Sequence, residues 1–182
     1  MIKPKKSLSQ NFLIDKNIAK KIIKQISLSN KVVVEIGPGH GILSDLIITN
    51  KPKYLYLIEK DKILANNLKE KYIKHKYIEV INNDILNFKL DKQKKLIIIS
   101  NLPYNLSTKI ILYLFEFSKY IDSMVLMIQK EVALKFDYKL DKMNKYKFYT
   151  KIFSNYKRCF NVSSKVFYPK PKVESTVVHF KL

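Results

Sequence analysis

Four consecutive residues, Asn101-Leu102-Pro103-Tyr104, carry the most specific chemistry in this 182-residue chain. They follow Leu96-Ile97-Ile98-Ile99, an apolar run expected of a central parallel strand covered on both faces. The Asn101 side-chain carbonyl and the Leu102 main-chain carbonyl are two acceptors able to take both protons of one amino group. Pro103 restricts the backbone and so fixes the direction of the Leu102 carbonyl. Tyr104 offers a ring face to a flat heterocycle. An amino nitrogen whose lone pair is delocalised into a ring is a poor nucleophile. Acceptors on its two protons draw it toward a tetrahedral, nucleophilic form, and such work is done by positioning and electrostatics.

A second constellation must lie beside the first. Val32 to Gly41 reads VVVEIGPGHG and holds all three glycines of the chain, Gly37, Gly39 and Gly41. A β-branched run, a glycine turn and then Ile42-Leu43-Ser44-Asp45-Leu46-Ile47-Ile48 predict strand, turn and helix. Bare backbone lets a ligand approach, and free N–H groups at the helix start attract its polar atoms. Turning alone would not use three glycines in a chain that otherwise turns on Asn, Asp, Pro and Lys. The spacing departs from the dinucleotide fingerprint, because the third glycine falls one residue early. E-x-G-x-G-x-G instead resembles motif I of the Rossmann-like methyltransferases that use S-adenosylmethionine. Glu59 ends the next predicted strand, Tyr54 to Ile58, and falls 22 residues after Gly37. That is close to the ~20-residue offset at which an acid meets ribose hydroxyls, and a carboxylate suits a vicinal diol. The same residue could instead be a surface acid capping the following helix. Asp84, after a third strand at 77–81, could accept from an adenine amino group or simply end a turn. Asn-Leu-Pro-Tyr resembles motif IV of enzymes that methylate amino groups of nucleic acids. A base inside a duplex cannot reach such a pocket and must be flipped or unpaired. Phe167, held beside two prolines, is the candidate for the base's second face, although a phenylalanine at a strand start is also ordinary core packing.

Composition sets the frame. The length fits one domain that buries roughly 70% of its unfolded surface. No apolar run reaches the ~18 residues of a membrane span, and MIKPKKSLSQ has no signal-peptide core. The single Cys159 excludes an internal disulfide, and the three histidines are scattered, so no metal site is expected. A cytoplasmic monomer is the expectation. The formal net charge is +20, with one arginine, Arg158, among the cations. Genome composition explains part of that excess, and a polyanionic partner, nucleic acid, explains the remainder. Residues 1–10 read as a mobile basic arm, with Lys3, Lys5 and Lys6 as phosphate contacts. Ile18, Ile22 and Ile26 predict a helix from an Asp15 cap to about residue 27. Later strands are expected at 123–128, 159–162 and 175–180, with a helix opening at Gln129. Residues 135–151 give no clear pattern, and Phe167 to Val173 read as a rigid loop.

Taken together, S-Q-N-F-L, E-I-G-P-G-x-G-x-L, N-L-P-Y-N-x-S-T, Q-K-E-V-A and F-x-P-x-P-K-V-x-S resemble the small-subunit ribosomal RNA adenine dimethyltransferases. The match runs in order from Ser9 to Val178. The resemblance implies an α/β Rossmann-like fold with a seven-stranded, mostly parallel sheet and one reversed strand near an edge. It implies dimethylation of adenine N6, at two adjacent adenines, in small-subunit ribosomal RNA or its precursor, coupled to ribosome biogenesis. It places S-adenosylmethionine against Asn11, Leu13, Gly37, Gly39, Glu59, Asp84 and Asn101, and the target base against Asn101, Leu102, Pro103, Tyr104 and Phe167. Two departures stand out. The segment from Asp137 to Tyr149 lacks the family's glycine. The sequence also stops at Leu182, where the family continues into a small helical domain, so one methyltransferase domain without that addition is expected. Two alternatives remain open. One is a macrolide-resistance type of large-subunit ribosomal RNA methyltransferase. The other is an assembly or transcription factor on this fold that binds RNA or DNA without methylating it.

Overall fold

The computed structural model describes residues 4–5, 10–90, 95–140 and 142–182. The chain enters through a two-residue strand, β1 (Phe12–Leu13), and helix α1 (Lys16–Ile23). Asp15 caps α1 by accepting from the N–H groups of Asn17 and Ile18, as its sequence position suggests. Then β2 (Val32–Ile36), α2 (Ile42–Thr49), β3 (Tyr54–Glu59), α3 (Lys62–Lys71) and β4 (Ile78–Asn82) build half of a sheet. The second half comprises β5 (Leu96–Asn101), α4 (Ser107–Phe115), β6 (Ile121–Gln129), α5 (Lys130–Phe136), α6 (Lys145–Phe153), β7 (Asn155–Val162), β8 (Phe167–Tyr168) and β9 (Ser175–Lys181).

Seven strands form one sheet in the order β4-β3-β2-β5-β6-β9-β7. Pairing is parallel from β4 to β6, whereas β9 runs antiparallel to both β6 and β7. The expected reversed strand is therefore second from the edge. Alternation of side chains along the buried strands divides the core into two layers. Val34, Ile98 and Leu126 face α4 and α5, while Val33, Ile97 and Val125 face α1 and α2. The strand order reverses between β2 and β5, and open α/β sheets bind ligands in the crevice outside the strand ends at such a point. The parallel register puts Ile36 level with Ser100, so Gly37 and Asn101 leave the sheet side by side.

Two glycines of the turn have steric reasons that the sequence could not give. Gly41 has φ +83°, and a Cβ there would lie 2.6 Å from the Tyr72 hydroxyl. That hydroxyl donates to Asp45 of α2 at 2.7 Å, which pins the turn to the end of α3. Gly39 has φ +58°, and its Cβ would press on the Phe12 ring at 3.0 Å.

Three segments differ from the sequence reading. The sixth strand of the sheet in chain order, β7, starts at Asn155, four residues before the expected Cys159. Residues 145–153 form α6, capped by Asn144. In the glycine-free loop before it, Lys142 adopts φ +60°, the left-handed conformation glycine would otherwise supply. The buried Lys147 ammonium donates to the carbonyls of Leu140 and Lys142 and so holds that loop. Finally, Phe167-Tyr168 is not loop but β8, paired antiparallel with β1.

Candidate active site

The carboxyl ends of β2, β3, β4 and β5 converge on one cleft, lined among others by Gly37, Gly39, Glu59, Asp84, Asn101, Leu102 and Pro103. Its outer wall is the N-terminal segment Gln10-Asn11-Phe12. A shallower trough adjoins it, lined by Tyr104, Asn105, Gln129 and Pro169 together with Gln10 and Asn11. Gln10, Asn11 and Asn105 line both depressions, with Asn101 in the cleft and Tyr104 in the trough. Most residues expected at the site are gathered there.

Glu59 is 6% exposed, and its two oxygens accept from different backbone groups. Oε2 takes Gly39 N–H at 3.1 Å and Oε1 takes Asp61 N–H at 2.9 Å. Each oxygen keeps lone-pair capacity for a ligand hydroxyl. Burial pushes the carboxyl above its ordinary range, against the pull of those two hydrogen bonds. Asp84 is fixed by Lys60 Nζ at 2.9 Å on Oδ2 and by Leu86 N–H at 3.0 Å on Oδ1. Partial burial pushes its pKa up, but these contacts outweigh it and hold the group below the usual carboxylate value.

Asn101 is oriented from the opposite wall. Its Nδ2 donates to the Asn11 carbonyl at 2.9 Å, which assigns the amide and turns Oδ1 the other way. Oδ1 is buried and finds no partner among the described residues. A buried acceptor left unpaired costs roughly 1–3 kcal/mol, so this one suits a donor supplied by a ligand. The Tyr104 hydroxyl shares a 2.7 Å hydrogen bond with Ser175 at the start of β9.

One expected site residue lies elsewhere. Phe167 is 3% exposed and packs in the core with Leu13, Val162 and Val177. Its ring turns inward because β8 alternates, and the outward ring is Tyr168, 51% exposed. Phe167 therefore presents no face to a base in this structure. Leu13 is also buried, and the small cavity it borders behind the glycine turn is lined as well by Gly37, Gly39 and Asn101. Lys3 and Lys6 lie outside the described residues. Lys5 is committed to an ion pair with Asp61 at 2.9 Å. Among the described residues, no group of His, Cys, Asp and Glu is arranged to hold a metal ion, and no helix is long and apolar enough to cross a membrane.

Glu35, at the end of β2, was visible only as the acid of the glycine motif. It is 1% exposed, accepts from the Ser44 hydroxyl at 2.6 Å, and is pushed by burial up to about 8. The folded protein thus keeps a proton that the unfolded chain, at 4.5, has released. Its contribution to stability is complete below pH 4.5 and is lost as pH rises to about 8, at up to ~1.4 kcal/mol per pH unit. Urea melts of Glu35→Gln are expected to lose this pH dependence. An unchanged slope would assign the titration to another group.

Two features test whether the cleft fits S-adenosylmethionine. A Cβ at Gly37 would meet nothing within 4 Å, so the turn leaves open space where a ligand backbone approach is needed. Each Glu59 oxygen takes a backbone N–H and keeps capacity to accept one hydroxyl, which suits a vicinal diol. With the glycine turn after β2, the acid after β3 and Asn-Leu-Pro-Tyr after β5, fold and site define an S-adenosylmethionine-dependent methyltransferase.

Comparison with known proteins narrows the class. The sequence model for ribosomal RNA adenine dimethylase matches residues 1–182, and the chain belongs to that family. It is 43% identical over 179 residues to ribosomal RNA small subunit methyltransferase A of Mycoplasma mobile, covering 97% of this chain and 70% of the relative. The protein of the same name from Pelagibacter ubique is 40% identical, with 98% and 70% covered. Among solved structures, the 23S rRNA methyltransferase ErmE superposes with a TM-score of 0.85 at 26% identity, covering 94% of this chain and 69% of that one. A dimethyladenosine transferase from Plasmodium falciparum gives 0.83 at 26%, covering 93% and 62%.

Proposed function

We propose that the protein dimethylates the N6 amino group of adenines in small-subunit ribosomal RNA, working as a cytoplasmic monomer on the subunit or its precursor. The observation that carries this reading is the unpaired, buried Oδ1 of Asn101 at the mouth of β5. An exocyclic amine placed there donates one proton to Oδ1 and the other to the Leu102 carbonyl, which Pro103 aims. The nitrogen is thereby pulled out of conjugation and becomes nucleophilic. S-adenosylmethionine supplies a methyl group on a cationic sulfur, so no strong general base is required. Glu59 holds the ribose hydroxyls, Asp84 accepts from the adenine of the cofactor, and Tyr104 stacks on the target base.

The choice of subunit rests on the two relatives named for the small subunit, at 43% and 40% identity. The likeness to ErmE, named for 23S rRNA, favours a second reading, methylation of the large subunit. Transfer of labelled methyl to small subunits, large subunits and naked ribosomal RNA in parallel decides between them. Label in the small-subunit arm alone is the expected result; label only in the large-subunit arm overturns the choice of target, and none in any arm overturns catalysis.

Lys3 and Lys6 of the N-terminal arm are proposed as phosphate contacts. Neutralised phosphates release counterions, so each lost contact reduces the slope of log affinity against log salt by about one. Replacing Lys3 and Lys6 with Ser, and leaving Lys5 on Asp61, is expected to flatten that plot. Equal slopes in variant and parent would remove the arm from the RNA interface.

A further inference from the structure

Two residues beyond Glu59 sits a carboxylate that the proposed chemistry does not use. Asp61 caps α3 through Oδ1, which accepts Ile63 N–H at 3.0 Å. A helix cap needs one oxygen and is usually wet, yet the Asp61 side chain is 1% exposed. Its cover comes from the N-terminal segment. Oδ2 takes the Lys5 ammonium at 2.9 Å and the Gln10 side-chain amide at 3.3 Å. Gln10 Oε1 in turn accepts Lys5 N–H at 2.7 Å, closing a ring of contacts among the three residues.

The segment that starts at Gln10 is the outer wall of the cofactor cleft. Its next residue, Asn11, holds Asn101 by its carbonyl, and Phe12 lies over Gly39. The far end of the segment is fastened too, because β1 pairs with β8 and Ile14 N–H donates to the Val166 carbonyl at 2.9 Å. Backbone pairing therefore holds one end, while at the other Asn101 holds the Asn11 carbonyl and the buried Asp61 carboxylate holds Lys5 and Gln10. We propose that Asp61 is a positioning residue that latches the N-terminal segment over the cofactor cleft, so that cofactor leaves only when its contacts with Lys5 and Gln10 open. Asp61 lies on the chain just after the ribose acid, and its own N–H donates to Glu59. The latch thus joins the cofactor's wall to the strand end that grips the ribose. It rests on the cofactor assignment made above.

The test uses Asp61→Asn, because Asn caps a helix as well as Asp does while losing the ion pair. Release of S-adenosylmethionine from the whole protein, followed by chase with unlabelled cofactor, is expected to be about tenfold faster in the variant, the size of one part-exposed ion pair with a charge-assisted hydrogen bond. In cofactor-free protein, hydrogen exchange at the amides of Phe12, Leu13 and Ile14 should quicken similarly. Raising salt should speed release in the parent and not in the variant. Lys5→Met, which leaves the cap untouched, should reproduce the faster release and add less than twofold in the Asp61→Asn background. Release and exchange within twofold of the parent in both single variants would overturn the latch alone. Fully additive effects would also overturn it, since Lys5 would then act elsewhere. A parent that retains no cofactor would overturn the cofactor assignment and the latch together.

Discussion

Asn101→Ala is expected to lower the rate of methyl transfer by at least about 10²–10³-fold, the cost of deleting one preorganised polar group aimed at the reacting atom. The Asn101 amide has a divided task. Nδ2 is spent on the Asn11 carbonyl, and Oδ1 is left for the substrate. Alanine removes both, so the amine loses an acceptor and the N-terminal wall loses a donor. Its amide faces the Asn11 carbonyl and the buried cleft, whereas RNA affinity is dominated by the phosphate backbone, so RNA affinity is expected to stay within about twofold. RNA binding that collapsed in step with activity would make Asn101 structural and remove the main support for the site. Asn101→Asp sharpens the comparison. A carboxylate accepts from the amine as well as an amide does, but it faces the Asn11 carbonyl with no proton to give. Activity between that of the parent and Asn101→Ala is the expected outcome, with the deficit in the rate and not in the Michaelis constant for RNA.

Where function was legible in the sequence, it was carried by local patterns. The apolar run of β5 followed by Asn-Leu-Pro-Tyr, and the β-branched run of β2 followed by the glycine turn, announce their own element types. Once both strands are parallel neighbours, the two motifs meet at the point where strand order reverses. What was not legible depends on partners distant in the chain. The β1–β8 pair joins two-residue strands, too short to show a period, and its register exists only after the sheet has formed. That pairing decides which of Phe167 and Tyr168 faces the core, so an aromatic expected to stack on a base is instead a packing residue. Helix α6 was obscured because Phe148 and Ile152 stand exposed on it while Lys147 is buried, inverting the usual pattern. The contacts of Asp61 were hidden for the same reason, since its partner Gln10 is 51 residues away.

Glu59→Ala is expected to weaken S-adenosylmethionine binding by roughly 1.5–3 kcal/mol, the range for hydrogen bonds to a charged group, which is about 10- to 150-fold in affinity. The structure adds a second consequence. Because Glu59 accepts from Gly39 and Asp61 N–H groups, alanine also frees two backbone donors at the turn and at the start of α3. Some of the loss will therefore reflect a loosened turn instead of lost ribose contacts. The two are separable with a cofactor analogue that lacks the ribose hydroxyls. For that analogue the parent has no diol to hold, so the ribose share of the mutational penalty vanishes and only the turn's share remains. A penalty markedly smaller for the analogue than for the intact cofactor is the expected result in calorimetry. Equal penalties would mean that Glu59 only braces the glycine turn. The pH dependence follows from the raised pKa: ribose hydroxyls donate to the ionised carboxylate, so affinity should climb as Glu59 deprotonates, at a higher pH than an exposed glutamate would. In Glu59→Ala that climb should be absent, and its persistence would point to another carboxylate as the ribose acceptor.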